Sequence, residues 1–140
     1  MTRTQLQSRA VSRARAGQTR LSTPCLGGWQ LVDRVSEGEL THVFRARPAR
    51  DDVNQSPAYA LKMLRPERQD DPHAIAMLQR EAVVGRQIAH PHLVPVLAAR
   101  TRQTPQYLVM PWLEGTTLAT RLETQIALDL PEILWIARQM

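Results

Sequence analysis

From Trp29 onward, apolar and polar residues follow one another in short runs of strand type. WQLVDRVS and, after EGE, LTHVFRAR are two such runs joined by a glycine-containing link, which predicts a β-hairpin. Residues 48–57, PARDDVNQSP, hold two prolines, adjacent aspartates, Asn and Ser and read as a loop. AYALKML predicts a third strand, with Tyr59, Leu61 and Met63 on one face and Ala60, Lys62 and Leu64 on the other. Asp71-Pro72 is a helix start, Asp as N-cap and Pro at the first helical position. A helix from residue 72 to about 89 lines up Met77, Glu81, Val84 and Ile88 on one side. After His90-Pro91, LVPVLAA and QYLVMPW, separated by TRQTP, read as a second strand pair. LEGTTLATRLETQ suggests a turn and a short helix, and LPEILWIARQM a further helix with Leu130, Ile133, Leu134, Ala137 and Met140 on its apolar side. The expected fold is α+β: a five-stranded antiparallel sheet carrying one long helix over 72–89.

At 140 residues, 43% of them apolar, the chain suits one modest domain able to bury roughly two-thirds of its unfolded surface. No apolar run approaches the ~20 residues of a membrane helix, so a soluble protein with no membrane segment is expected. Cys25 is the single cysteine, which excludes an internal disulfide and a Cys-rich zinc site; it reads as an inert thiol in a reducing, cytoplasmic setting. The net charge of +5 is uneven, since Arg3, Arg9, Arg13, Arg15 and Arg20 all precede the first acidic residue, Asp33. Residues 1–28 therefore form a basic, Ser-containing arm expected to be a disordered, solvated tail. A nucleic-acid arm or an organelle transit peptide stays open for that segment, with nucleic acid the lesser expectation.

Charge chemistry changes the picture at one position. Lys62 is the only lysine beside seventeen arginines, and it stands in the middle of an apolar strand. Glu81 lies on an apolar helical stripe nineteen residues later. The two invite pairing, because removing one partner of a buried ion pair typically costs ~3–5 kcal/mol. The alternative is that Lys62 snorkels to water and Glu81 sits at the edge of the stripe.

The order of these elements resembles the N-terminal lobe of the protein kinase fold, most closely the bacterial Ser/Thr kinases of eukaryotic type, over residues 29–140. YALK is similar to the family's V-A-I-K, which implies that Lys62 holds the α- and β-phosphates of ATP and that Ala60 packs on adenine. QREA resembles the regulatory-helix segment whose glutamate, here Glu81, pairs with that lysine. A compact ammonium on a flexible stem suits one point between two phosphates and a carboxylate, which explains a lysine where arginine is otherwise used. VSEGELTHVF stands where the family has its glycine-rich loop, with Ser36, Gly38 and Thr41 at the three glycine positions and Val35 and Val43 closing over adenine. Taken alone, that stretch is an ordinary hairpin turn. Glu37 and Glu39 are expected to repel phosphate. YLVMPWLEG resembles the hinge, implying Met110 as gatekeeper, the Pro111 carbonyl as acceptor from adenine and the Leu113 amide as donor. Gly85 falls where active members have a bulky apolar residue, and an empty place is expected there.

The resemblance divides the chain into the arm at 1–28, a lobe and hinge at 29–115, and the beginning of the second lobe's helices at 116–140. The family's catalytic His-Arg-Asp and metal-binding Asp-Phe-Gly do not occur in the sequence, so it implies no catalytic and no metal-ligating residue here. Three readings stand. The chain is a fragment or truncated product of a Ser/Thr kinase, whose partners would be ATP with magnesium, a protein substrate and the missing C-lobe. It is a kinase-like module that binds or regulates without catalysis. It is a nucleic-acid-associated protein acting through its arm. On the first reading, the chain alone binds adenine nucleotide weakly at best and transfers no phosphate.

Overall fold

The structure, a computed structural model, describes residues 24–52, 54–124 and 128–139. The expected basic arm lies, as far as residue 23, outside the described residues.

An antiparallel sheet dominates the fold. Its strands are β1 (Cys25–Leu26), β2 (Trp29–Glu37), β3 (Thr41–Pro48), β4 (Tyr59–Leu64), β5 (Ala98–Arg100) and β6 (Tyr107–Pro111), in the order β1-β2-β3-β4-β6-β5. Three helices, α1 (Pro72–Gln87), α2 (Leu118–Thr124) and α3 (Leu130–Gln139), complete it. The sheet thus has six strands where the sequence pattern predicts five. The addition is β1, which turns at Gly27 and pairs Leu26 with Trp29 and Cys25 with Gln30. Two residues are too short for any alternation to register. Gly27 makes the turn possible: its φ of 59° lies in the left-handed region, and an added Cβ would come 3.0 Å from the Tyr107 hydroxyl.

The strand expected over LVPVLAA shrinks to Ala98–Arg100. Pro91 and Pro95 supply no amide for a ladder, and regular pairing resumes only where Ala98 meets Val109. Just before it, the Leu97 N–H reaches the Val109 carbonyl at 2.8 Å.

Helix α1 starts as its sequence dictates. The Asp71 carboxylate accepts from the His73 and Ala74 amides at 2.9 and 3.4 Å, and Pro72 occupies the first turn. Those two amides, Ala74 first, hold the Asp71 carboxyl below its ordinary value. The helix ends at Gln87 rather than 89, with Ile88 extended as its cap. Its buried face also differs from the expected stripe. Ala74, Leu78 and Ala82 are buried, while Met77, Val84 and Ile88 are exposed. Two alanines let the helix backbone approach the sheet closely, and a count of large apolar side chains overlooks them.

Two apolar clusters lie on opposite faces of the sheet, as the alternation in β4 and β6 requires. Leu64 and Leu108 pack under α1 with Ala74, Leu78, Ala82 and Val96. Leu61, Tyr107 and Val109 join Leu31 and Ala46 on the other side. Register shifts between Leu31 and Asp33 and between Arg34 and Ser36 break the β2–β3 ladder, the kind of irregularity that strengthens strand twist. Beyond the sheet, Arg121 of α2 pairs with Glu132 of α3. The expected apolar side of α3 exists, but Leu130, Ile133 and Leu134 are exposed, and Met140 lies outside the described residues. No helix among the described residues is long and apolar enough to cross a membrane.

Candidate functional site

The β-pleat gathers five of the eleven predicted site residues on one face. Directly paired residues share a face, and the registers match Val43 with Lys62, Thr41 with Leu64, Lys62 with Leu108 and Ala60 with Met110. Thr41, Val43, Ala60, Lys62 and Met110 therefore stand together on the face that carries α1. Glu81 comes down from α1 onto the middle of this group. The Lys62 ammonium donates to both carboxylate oxygens, 2.9 Å to Oε1 and 2.7 Å to Oε2. Both side chains are partly solvated, 27% exposed for Lys62 and 39% for Glu81, so the pair lies between a surface bridge and a buried one. Of the two readings open for Lys62, pairing is the one realised.

A hollow of about 110 Å³ borders this pair, walled by Leu40, Thr41, Leu64, Met77 and Leu78. The β2–β3 turn closes it from above. Gly38 donates its N–H to the Thr41 carbonyl at 2.8 Å, so the single glycine spends its amide inside the turn. Ser36 pairs with Val43 and is exposed. Val35 sits in the register shift and is 44% exposed.

Glu37 behaves differently from expectation. Its carboxylate lies 3.3 Å from Arg34, 3.4 Å from His42 and 3.4 Å from Arg65, and Arg65 also reaches the Gly38 carbonyl at 3.4 Å. Arg34 and Arg65 offset the charge that was expected to repel phosphate, and Glu37 ties the turn to the end of β4. Among the described residues no ion pair does the same for Glu39, which is exposed.

Gly85 is likewise corrected. The place beside it is not empty. An added Cβ would stand 2.5 Å from Cγ2 of Val96, which is buried, and the Val96 N–H donates to the Gly85 carbonyl at 2.9 Å. Val96 fills from the sheet side what a larger helix residue would fill from the other.

The hinge segment leaves the sheet at Pro111, which pairs with Tyr59; the Trp112 N–H still reaches the Ala58 carbonyl at 2.9 Å. Leu113 lies past the last ladder pair and is 63% exposed. Val35 and Leu113 thus both stand at an exposed edge.

One contributor was missed. Arg45 stacks its guanidinium on Trp112, 4.8 Å from the ring centroid, while donating to Glu114 at 2.6 Å and to the Pro57 carbonyl at 3.1 Å. It fastens the hinge to β3. Its place two residues after Val43, on the same strand face, was the available signal.

For a divalent cation the donor set does not fit. Glu81 is the carboxylate at the pair and is engaged by Lys62, and among the described residues no three His, Cys, Asp or Glu side chains come together.

Comparison with known families agrees with this geometry. Residues 29–140 match the family described as protein tyrosine and serine/threonine kinase. The chain belongs to the protein kinase family. This kinase chain is 28% identical over 90 residues to the probable serine/threonine-protein kinase PknB of Lactococcus lactis, covering 64% of the chain and 14% of that relative. It is 30% identical over 96 residues to the serine/threonine-protein kinase PknD of Chlamydia pneumoniae, covering 69% of the chain and 10% of the relative. The fold matches the crystal structure of the Mycobacterium tuberculosis PknI kinase domain with a TM-score of 0.66 at 20% identity, over 84% of this chain and 46% of that one. The kinase chain thus spans a small part of its curated relatives and about half of a solved kinase domain.

Proposed function

We propose that the chain is the nucleotide-binding portion of a serine/threonine protein kinase, and that by itself it holds adenine nucleotide weakly and transfers no phosphate. The observation that carries this reading is the two-oxygen contact between Lys62 and Glu81 on the face shared by Val43, Ala60 and Met110. In this role Glu81 orients the Lys62 ammonium toward the α- and β-phosphates. Ala60, Val35 and Val43 take one side of the adenine, Met110 bounds the pocket, and the Pro111 carbonyl and Leu113 amide bond its edge. Ser36, Gly38 and Thr41 lie over the phosphates.

Weak binding follows from what one wall can supply. Lys62 contributes a charge-assisted contact of about 1.5–3 kcal/mol. Association costs about 4–15 kcal/mol in lost freedom, and the open edge at Val35 and Leu113 leaves little apolar contact to offset it. Turnover needs a catalytic aspartate and bound magnesium, and neither His-Arg-Asp nor Asp-Phe-Gly occurs in these 140 residues. The relatives named serine/threonine kinases support the hydroxyl of a protein as acceptor for the complete family chemistry.

Isothermal titration of the chain with ATP, with and without magnesium, tests the proposal, with Lys62→Met as control. The expected result is binding no tighter than about millimolar that Lys62→Met abolishes, with no phosphate transferred to a generic protein substrate. Nucleotide binding indifferent to Lys62→Met, or any transfer, contradicts it.

A further inference from the structure

A second cavity, of about 580 Å³, opens between α1, β5 and residues 101–103. On the helical wheel its α1 residues lie on the side turned away from Glu81, so it is separate from the Lys62 site. Its polar lining consists of Gln79, Arg86, Arg100, Thr101, Arg102 and Gln103, and no Asp or Glu borders it. Arg34, Arg45, Arg65 and Arg68 elsewhere in the lobe each pair with a carboxylate. Among the described residues, Arg86, Arg100 and Arg102 have no carboxylate partner. Arg100 carries the argument furthest. Its Nη2 donates to the Thr104 carbonyl at 3.1 Å, but its Nε is buried with no acceptor. An arginine held this way, with a donor left over and no carboxylate beside it, is one of three that line the cavity.

We propose that this cavity binds a phosphate-type oxyanion, either free or borne on a phosphorylated side chain. Three guanidinium groups around one recess exceed what a single carboxylate neutralises, and their planar forks match phosphate oxygens. The recess also distinguishes the site from a flat basic face of the kind that meets nucleic acid or a membrane. Arg86 belongs to the helix, Arg100 to the sheet and Arg102 to the loop after it, so the anion ties α1 to β5.

The test is an ¹⁵N NMR titration of the full 140-residue chain with inorganic phosphate. Saturable shifts centred on the amides of Ala82, Ala99 and Thr101 are expected, with affinity weakened about tenfold or more in Arg86→Gln/Arg102→Gln. Both substituted residues are exposed, so this variant keeps the fold, which its spectrum reports. It also keeps every arginine of residues 1–23, so binding by that segment survives in it. Lys62→Met leaves phosphate binding here unchanged, which separates the outcome from that of the nucleotide reading. N-acetyl-phosphoserine amide identifies the source: tighter binding than inorganic phosphate assigns a phosphorylated side chain, and equal or weaker binding assigns the free ion. Non-saturating shifts scattered over the surface, affinity unchanged in the double variant, or loss in Lys62→Met overturns the proposal.

Discussion

Gly85 and Val96 show how one residue's size is set by a neighbour distant in sequence. A methyl group at 85 would sit 2.5 Å from a branched side chain that is itself buried. Gly85→Ala gains about 1 kcal/mol of helix propensity but incurs overpacking of about 1–3 kcal/mol. A net loss of stability is therefore expected in urea denaturation. Val96→Ala opens the space the new methyl needs, so Gly85→Ala/Val96→Ala should be more stable than the sum of the single changes; strict additivity would show that the two sites do not touch. The Lys62–Glu81 pair calls for a smaller number. Water reaches both side chains, and Glu81→Gln should cost about 1 kcal/mol or less in the same measurement. A loss above about 3 kcal/mol would mean that the pair is effectively buried.

Among the elements, α1 is the one whose ends are written locally and whose burial is not. Asp71 and Pro72 set its start by hydrogen bonding and a fixed φ, both properties of the residues themselves. Because the amides of Ala74 and His73 hold the Asp71 carboxyl below its ordinary value of 3.8, the cap stabilises the fold at neutral pH. That stability is lost as the pH falls through 3.8 and then through the lower folded value. Asp71→Asn keeps a capping oxygen without the titrating charge, so its melting temperature should fall less steeply than wild type below about pH 4. Parallel curves for the two proteins would remove Asp71 from the acid response. The helix's buried face was less legible, because Ala74 and Ala82 are chosen by how near the sheet lies, and periodicity weighted by side-chain size favours Met77 and Val84. Strand β5 repeats the point: its apolar run extends back to Leu93, but prolines deny most of it a ladder.

At the scale of the described molecule, exposed apolar side chains stand on α1, between Leu93 and Leu97, and past the hinge. Past the hinge, Leu113, Leu122, Leu130, Leu134 and Trp135 are each more than half exposed, and α3 leaves Leu130, Ile133 and Leu134 uncovered among the described residues. On the proposed function, the remainder of a kinase domain covers this side. Leu134→Gln/Trp135→Gln should leave the stability of the chain within about 0.5 kcal/mol, since these side chains bury little in it, while lowering binding of an apolar fluorescent dye. A drop of several degrees in melting temperature would show instead that α3 is packed into the lobe.

The strands from Trp29 to Leu64 and the start of α1 were readable in the sequence by itself, whereas the pattern left Lys62 open between pairing with Glu81 and reaching water. Alternation and capping act over a few residues and allow few solutions. The family resemblance also rested on residue order alone. Tertiary structure decided the rest: that a two-residue strand adds an edge at Cys25, that Val96 occupies the space beside Gly85, that Arg34, His42 and Arg65 surround Glu37, and that Arg45 pins Trp112. Each of these depends on which segments meet across the sheet. Contacts between residues brought together only by strand order leave no period in the chain that carries them.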